Sequence, residues 1–237
     1  MARKTTPQSP PQPSVPLWRR IKRAALLGLV GVVGLVLVYA VALRWVNPPT
    51  TPYIWSQGRQ FDIAQDWVPL DAIAPDMRRA VLAAEDANFC AHWGFDMAAI
   101  RGALQAGGSY GASTLTQQMV KNVFLWHGRS WPRKALEALL TPLVELTLPK
   151  SRIMEIYLNI AEFGPGIFGV EEAALHYFDR GAEDLTLDQA ARLAAILPAP
   201  KSRDPLGGSG FMRKRVAAIA DGAQTLARED RAHCVRD

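Results

Sequence analysis

The sequence has few cysteines and histidines, and it lacks the motifs that mark nucleotide-binding and serine-acylating sites. It contains two cysteines and four histidines in 237 residues, and none of them shows the spacing of a zinc site. No Ser-x-x-Lys sequence occurs, which excludes the usual nucleophile motif of penicillin-reactive serine enzymes. The glycine-rich stretches match neither a P-loop nor a dinucleotide fingerprint. Any catalytic chemistry must therefore come from side chains that do not belong to these motifs.

The globular part of the chain also lacks excess positive charge, although the formal net charge is +5. Six cations and no acids occur in the first 23 residues, namely Arg3, Lys4, Arg19, Arg20, Lys22 and Arg23. Removing these six from the 27 lysines and arginines leaves 21 basic against 22 acidic side chains, a charge of about −1. A nearly neutral body offers no electrostatic footprint for nucleic acid, so we predict no nucleic-acid partner.

An uncharged, mostly apolar segment covers residues 24–43. Twenty helical residues span roughly 30 Å, the thickness of the hydrocarbon core of a bilayer. Cations at residues 19–23 precede the segment, so the positive-inside rule predicts a single-pass anchor in the cytoplasmic (inner) membrane, with a cytoplasmic N-terminus and an extracytoplasmic, periplasmic body. A secretory signal peptide is the alternative, because residues 40–42 resemble a cleavage site, but the apolar run exceeds the usual signal length.

The rest of the chain predicts a mainly α protein. We predict a disordered basic tail at 1–23, the transmembrane helix at 24–43, a juxtamembrane connector at 44–64 and a globular domain at 65–237. The connector contains Pro48, Pro49 and Pro52, which oppose helix. The globular domain shows helical periodicity, as in Met77, Ala80, Val81 and Ala84, and shows no run of alternating strands.

Two glycine-rich segments and the two cysteines complete this organisation. We predict loops at 106–112 and 163–169; the first is either a plain surface loop or a flap that closes over substrate. An extracytoplasmic compartment would allow a disulfide between Cys90 and Cys234. Because Cys90 lies inside an acidic motif and Cys234 near a frayed end, we predict instead a buried free thiol at Cys90.

The first candidate site is the segment 85–96, which follows an apolar helical face. A carboxylate beside apolar groups has a raised pKa and is a better base, which makes Glu85 a candidate catalytic residue. The alternative is a solvated glutamate at a helix end. A lone histidine is more often hydrogen-bonded structure than a ligand, so we predict a structural role for His92.

The second candidate site is a helix that begins after Thr114, which forms a predicted capping box with Gln117. Thr114, Gln117, Gln118 and Lys121 recur at steps of three and four residues, which places them on one helix face. Hydroxyl, amide and ammonium donors at a helix N-terminus suit phosphate oxygens. An ordinary polar face is the alternative.

Cations follow this helix in the sequence. Arg129, Arg133 and Lys134 could bind phosphate, and an arginine can do so through two hydrogen bonds at once. Glu137 lies four residues after Arg133, so the two can pair across a helical turn. Further on, we interpret Asn159 as a scaffold residue that ties helices together.

Four sequence blocks in a fixed order carry a family resemblance. They are Glu85-Asp86-x-x-Phe89-x-x-His92-x-Gly94-x-Asp96; Gly111-x-Ser113-Thr114-x-Thr116-Gln117-Gln118-x-x-Lys121-Asn122; Arg133-Lys134-x-x-Glu137; and Glu155-x-Tyr157-Leu158-Asn159 followed by Phe163-Gly164. Over residues 65–205 the chain resembles the peptidoglycan glycosyltransferases of glycosyltransferase family 51. With one anchor and no transpeptidase domain, it looks like the monofunctional biosynthetic type.

The resemblance implies a lysozyme-like helical fold with a smaller membrane-proximal lobe. It implies polymerisation of lipid II on the outer face of the membrane, with β-1,4 linkage, inversion and release of undecaprenyl diphosphate. The implied partners are lipid II, the growing glycan strand, membrane lipid and proteins of cell-wall synthesis. No tightly bound cofactor is implied, and dependence on a divalent cation, Mg²⁺ or Mn²⁺, is left open, with no metal-ligating residues assigned.

By the same resemblance, Glu85 is the base and Glu137 a second catalytic residue that orients cations or binds a metal. The implied substrate-binding residues are Ser113, Thr114, Gln117, Gln118, Lys121, Arg129, Arg133 and Lys134. The remaining motif positions are implied to be structural: Asp86, Phe89, His92, Gly94, Asp96, Asn122, Glu155, Tyr157 and Asn159. The alternatives are a lytic enzyme on the same fold and a non-enzymatic anchored protein of the cell envelope.

Overall fold

The computed structural model describes residues 17–107, 111, 113–128 and 130–236. Within these residues the chain is mainly helical, as predicted. Its helices are α1 (Leu17–Ala42), α2 (Pro52–Gln57), α3 (Pro75–Glu85), α4 (Met97–Gln105), α5 (Leu115–Phe124), α6 (Trp131–Thr147), α7 (Lys150–Ile160), α8 (Val170–Phe178), α9 (Leu187–Ile196) and α10 (Gly210–Arg228). Short 3₁₀ turns occur at Leu70–Ala72, Ala182–Asp184 and His233–Val235. Three short strands are β1 (Ala64–Gln65), β2 (Glu162–Gly164) and β3 (Ile167–Phe168).

The N-terminal helix α1 contains nearly all of the predicted membrane span. It has 26 residues and is long and apolar enough to cross a bilayer; at 1.5 Å per residue it extends about 39 Å. It begins at Leu17, so residues 17–23 are helical, whereas they were predicted to be disordered. These residues contain no proline or glycine, and adding residues to an existing helix is favourable. The rest of the predicted tail lies outside the described residues.

The globular unit spans residues 40–237, and residues 1–39 form a separate unit. The prediction that residues 44–64 contain no helix was wrong, because α2 lies within them. Pro52 occupies the first helical position, where its missing N–H would be unpaired in any case, and the Thr51 hydroxyl accepts a hydrogen bond of 3.1 Å from the Ile54 N–H. Thr51 and Ile54 are buried, so the predicted connector is part of the globular unit.

A small sheet replaces the loop that was predicted at 163–169. Its strand order is β1-β3-β2, with β3 parallel to β1 and antiparallel to β2. The turn between β2 and β3 requires Gly166, whose φ is +78°; a Cβ there would lie 2.5 Å from the Asp62 carbonyl oxygen. Glycine content therefore marked a tight hairpin and not an irregular loop.

The helices of the globular unit form two groups that support the candidate site. In one group α3 packs against α9 and α10, and in the other α5 packs against α6 and α7. Phe89, Phe163 and Phe168 are among the largest fully buried side chains. Glu85 is the last residue of α3 and Gln118 lies on α5, so the two groups contribute to the same site.

The two cysteines form a disulfide between Cys90 and Cys234. The prediction of a free thiol at Cys90 was therefore wrong. It assumed a frayed C-terminal segment, whereas Val235 is 2% exposed and its carbonyl oxygen accepts a hydrogen bond of 2.9 Å from Arg78 Nη1. This packing holds Cys234 beside Cys90.

The other glycine-rich segment, 106–112, is described only in part. Ala106 and Gly107 form a turn after α4, and Gly111 is described without regular structure. Residues 108–110 and 112 lie outside the described residues, so the flap remains a prediction.

Candidate active site

Glu85 ends α3 with its side chain mostly buried. Its Oε2 accepts a hydrogen bond of 2.9 Å from Gln118 Nε2, and its Oε1 lies 3.9 Å from Arg215 Nη2. Burial raises the pKa of Glu85; the Gln118 hydrogen bond and the charges of Arg215 and Arg203 oppose that rise, while Asp86 adds to it. A raised pKa is what a general base requires near neutral pH.

Asp86 fixes the first sequence block against the second. Its Oδ2 accepts a hydrogen bond of 2.9 Å from the Leu115 N–H in the first turn of α5, and its Oδ1 lies 2.9 Å from His92 Nε2. Phe89 packs in the core beneath them. The geometry thus gives Asp86, Phe89 and His92 contacts within the scaffold.

Gly94 and Asp96 shape the loop that leads to α4. Gly94 has a φ of +82°, and a Cβ there would lie 2.5 Å from Thr141 Cγ2, so a larger residue would be strained and crowded. Its carbonyl oxygen accepts a hydrogen bond of 2.7 Å from Thr114 Oγ1. Asp96 caps α4 through its Oδ1, which accepts from two backbone N–H groups. Gly94 and Asp96 therefore determine the backbone conformation of the loop and of the start of α4.

Of the four residues that were predicted on one face at the start of α5, three line the site and Thr114 does not. The capping box of Thr114 and Gln117 is present as predicted. The single O–H of Thr114 donates to the Gly94 carbonyl and is therefore not free for a substrate oxygen, so the geometry gives the predicted substrate contact of Thr114 no support. Gln117, Gln118 and Lys121 line the site. Burial there lowers the pKa of Lys121, and the charges of Glu137 and Glu85 oppose that shift.

Most of the predicted substrate-binding residues line one cavity of about 380 Å³. It is lined by Ser113, Gln117, Gln118, Lys121, His127, Gly128, Arg133, Lys134 and Glu137. A second cavity of about 170 Å³ shares Gln118 and Lys121 with the first. Gln118 also contacts Glu85, so the proposed base adjoins a cavity lined by three cations. Arg129, also predicted to bind substrate, lies outside the described residues.

Glu137 organises two of those cations. It is 3% exposed, and its Oε2 accepts a hydrogen bond of 2.7 Å from Arg133 Nη1, while its Oε1 pairs with Lys134 Nζ. Lys134 Nζ also donates to Ser113 Oγ at 3.0 Å, and Arg133 Nε to the Gly128 carbonyl at 2.8 Å. The four side chains form one network along the cavity wall.

This donor set does not fit a resident metal ion. Both carboxylate oxygens of Glu137 are engaged by cations. Across the described residues, no group of three histidine, cysteine or carboxylate side chains could hold a metal ion. Of the two roles implied for Glu137, the geometry supports the orientation of cations.

The fourth block supports the site from α7. The Tyr157 hydroxyl lies 3.2 Å from Gln118 Oε1. Asn159 is fully buried and spans two segments: its Oδ1 accepts from the Val68 N–H at 2.9 Å, and its Nδ2 donates to the carbonyls of Val68 and Glu155 at 2.8 Å. The Glu155 carboxylate pairs with Arg152. Asn159 was predicted to tie helices together; its contacts instead tie α7 to the non-helical segment at Val68.

Several residues of the site were not predicted from the sequence. Arg215 and Arg203 approach Glu85 from far along the chain, and no motif spacing connects them with it. His127 lines both cavities, and its ring stacks on Tyr53 at 3.4 Å between centroids. The sequence feature that could have indicated His127 as a site residue was its position between Lys121 and Arg133. Asn122 Oδ1 is buried without a hydrogen-bond partner among the described residues.

Comparisons with known proteins agree with this geometry. The family model described as Transglycosylase matches residues 56–224. A protein of Jannaschia sp. (strain CCS1) named biosynthetic peptidoglycan transglycosylase is 52% identical over 219 residues, which cover 92% of each chain. Proteins with the same name from Stutzerimonas stutzeri (strain A1501) and Pseudomonas entomophila (strain L48) are 47% and 48% identical, over 84% and 86% of this chain and 86% and 89% of theirs. The resemblance drawn from the four sequence blocks is thereby confirmed: the chain belongs to the transglycosylase family.

Proposed function

We propose that this protein is a membrane-anchored peptidoglycan glycosyltransferase that polymerises lipid II. The observation that carries the proposal is the position of Glu85, a mostly buried carboxylate with a raised pKa, beside a cavity lined by Lys121, Arg133 and Lys134. A base next to a cationic cavity suits glycosyl transfer from a diphosphate donor. The names of the relatives, biosynthetic peptidoglycan transglycosylase, support the same reaction.

In this mechanism Glu85 removes the proton from the 4-hydroxyl of the acceptor sugar. The freed oxygen forms a bond to the anomeric carbon of the donor while the bond from that carbon to the pyrophosphate oxygen breaks. The product is a β-1,4 link with inverted configuration, and the proton remains on Glu85 until solvent removes it. Because burial favours the neutral form of Glu85, the carboxylate accepts a proton more readily than an exposed one.

The cationic network stabilises the departing diphosphate. Negative charge develops on the leaving oxygen in the transition state, and preorganised cations lower the energy of that state most when they need not move. Glu137 holds Arg133 and Lys134 in place, while Lys121 lines the same cavity and interacts electrostatically with both Glu137 and Glu85. We assign Arg129 to the same role on its sequence position alone.

We propose that these protein cations, and not a resident metal ion, supply the positive charge. The pairing of both Glu137 oxygens supports this assignment. Activity should persist in excess chelator after the substrate has been freed of divalent ions. A complete loss in chelator that Mg²⁺ or Mn²⁺ restores would overturn the assignment.

We further propose that α1 anchors the protein once in the cytoplasmic membrane, with the globular unit outside. The cations that precede the apolar stretch support a cytoplasmic N-terminus. The disulfide between Cys90 and Cys234 supports an oxidising compartment for the globular unit. Protease added to spheroplasts should degrade the globular unit without lysis; full protection there, with degradation only after lysis, would reverse the orientation.

The decisive experiment offers the purified full-length protein two substrates. With lipid II in detergent, we expect glycan chains that grow with time and release undecaprenyl diphosphate. With finished, lipid-free glycan, we expect no shortening. Cleavage of the finished glycan without polymerisation of lipid II would replace the proposed function by a lytic one.

A further inference from the structure

We propose that the C-terminal segment 231–235 is a clamp that positions the catalytic base. We call this segment the C-terminal clamp, and residues 86–92, which follow Glu85, the base loop. The inference rests on the proposed function of Glu85. It assigns Arg231 and Cys234 as positioning residues, which act on the reaction through Glu85 without contact with substrate.

The first contact between clamp and base loop is covalent. The disulfide joins Cys90, five residues after Glu85, to Cys234, across a sequence separation of 144 residues. Phe89, next to Cys90, is buried in the core. The base loop is therefore held at this point by the core packing of Phe89 and by the disulfide of Cys90.

The second contact is polar and lies closer to Glu85. Arg231 Nη2 donates hydrogen bonds to the Ala87 carbonyl oxygen at 3.2 Å and to Asn88 Oδ1 at 2.7 Å. Asn88 Nδ2 in turn donates to Asp96 Oδ2 at 2.8 Å. Ala87 and Asn88 are exposed, so Arg231 supplies a restraint on a stretch that core packing does not hold.

The clamp is also attached to the helix that carries Glu85. Val235 is buried, and its carbonyl oxygen accepts a hydrogen bond from Arg78 Nη1. Arg78 lies on α3 seven residues before Glu85, which is about two helical turns. The clamp thus contacts the chain on both sides of Glu85, in the helix before it and in the loop after it.

Such bracketing matters because Glu85 is the terminal residue of its helix. Helix ends fray unless they are held, and a displacement of about 1 Å at a catalytic group can cost on the order of 100-fold in rate. A frayed end would also admit water to a carboxylate whose pKa is raised by burial. Release of the clamp should therefore lower both the turnover number and the pKa of Glu85.

The test compares full-length enzyme in four states at several pH values, with lipid II as substrate. The states are the oxidised wild type, the wild type reduced with a phosphine, the Cys90→Ala/Cys234→Ala double variant, and Arg231→Ala with its disulfide intact. Arg236→Ala is the matched control, because Arg236 pairs with Asp230 outside the base loop. Arg231→Lys tests rescue by a conservative change.

We expect reduction and the double variant to lower kcat about tenfold with KM nearly unchanged, as for a modest displacement of the base. Arg231→Ala should lower kcat less, Arg231→Lys should restore part of it, and Arg236→Ala should behave as wild type. The acidic limb of the kcat profile should move to lower pH in the impaired forms. A fall in activity that only matches the loss of folded protein, with an unmoved limb, overturns the proposal.

A measurement without substrate separates this proposal from the proposed function. Amide hydrogen exchange should accelerate in residues 86–92 on reduction, while the amides of α5 and α7 keep their protection. Unchanged exchange in the base loop overturns the clamp. Failure of oxidised wild type to polymerise lipid II overturns the proposed function instead.

Discussion

The side-chain amide of Gln118 joins the proposed base to the second sequence block. Its Nε2 lies 2.9 Å from Glu85 Oε2, and its Oε1 lies 3.2 Å from the Tyr157 hydroxyl. A phenol that donates to the amide oxygen leaves the NH₂ group directed at the carboxylate. The hydrogen bond to Glu85 therefore stabilises its charged form, against the effect of burial.

Gln118→Leu should move the acidic limb of the pH–rate profile to higher pH. Burial raises the pKa of Glu85 and the Gln118 hydrogen bond lowers it, so loss of the amide leaves the rise less opposed. A base must be deprotonated to act, so the variant should lose activity first at low pH and recover as pH increases. The measurement is kcat/KM for lipid II polymerisation across pH.

The control for this prediction is Tyr157→Phe, which removes the hydroxyl from Gln118 Oε1 but leaves the contact between Gln118 and Glu85 in place. Its acidic limb should shift less than that of Gln118→Leu. A limb that moves to lower pH in Gln118→Leu would contradict the direction argued here.

Glu85→Gln should abolish most polymerisation without loss of fold. The change keeps the shape of the side chain and removes its ability to accept the proton, so we expect a fall in kcat of about 100-fold or more, as for removal of a general base. Lipid II binding and thermal stability should stay close to wild type. The exposed Glu183→Gln is the control, and full activity in Glu85→Gln would reject the assigned base.

Lys121→Met should lower kcat/KM for lipid II by roughly 100-fold or more, the usual effect of removing one group that stabilises developing charge. The methionine keeps most of the side-chain volume, so the cavity should retain its form. Lys121→Arg should restore part of the activity because it restores the charge. If Lys121→Met polymerises at the wild-type rate, the diphosphate does not lie beside this residue.

Glu137→Gln should reduce stability as well as activity. Its carboxylate is buried between Arg133 and Lys134, and loss of the charge leaves these cations poorly compensated, at a cost of roughly 1–3 kcal/mol in the free energy of unfolding. Denaturant unfolding measures the difference.

Asp188→Asn is the matched comparison for Glu137→Gln. It removes the charge from a pair with the same four-residue spacing, Asp188 with Arg192, that is exposed to solvent. Exposed pairs contribute little, so this variant should change stability by less than about 0.5 kcal/mol. If the two changes lowered the free energy of unfolding equally, burial would not be the reason that the Glu137 charge stabilises the protein.

Local sequence rules were sufficient where the structure is determined by neighbours along the chain. The capping box that begins at Thr114 forms as its spacing predicts. The pair of Arg133 and Glu137 also forms at its predicted spacing. These features depend on four or five consecutive residues, and a helix fixes the geometry between them.

Local rules failed where contacts join distant parts of the chain. The approach of Arg215 to Glu85 and the pairing of Cys90 with Cys234 depend on how α10 and the segment after it fold back on α3. Pro52 was misread because its effect depends on its position in a helix; at the first position it is favourable. The hairpin at Gly166 likewise depends on pairing with β1.

The disulfide also has a practical consequence for labelling. Both cysteines of the chain are joined to each other, so neither is a free thiol. A cysteine introduced at Leu104, an exposed residue near the end of α4, would be the sole target for a maleimide dye. The dye would then mark a single position on α4 while the disulfide stays intact.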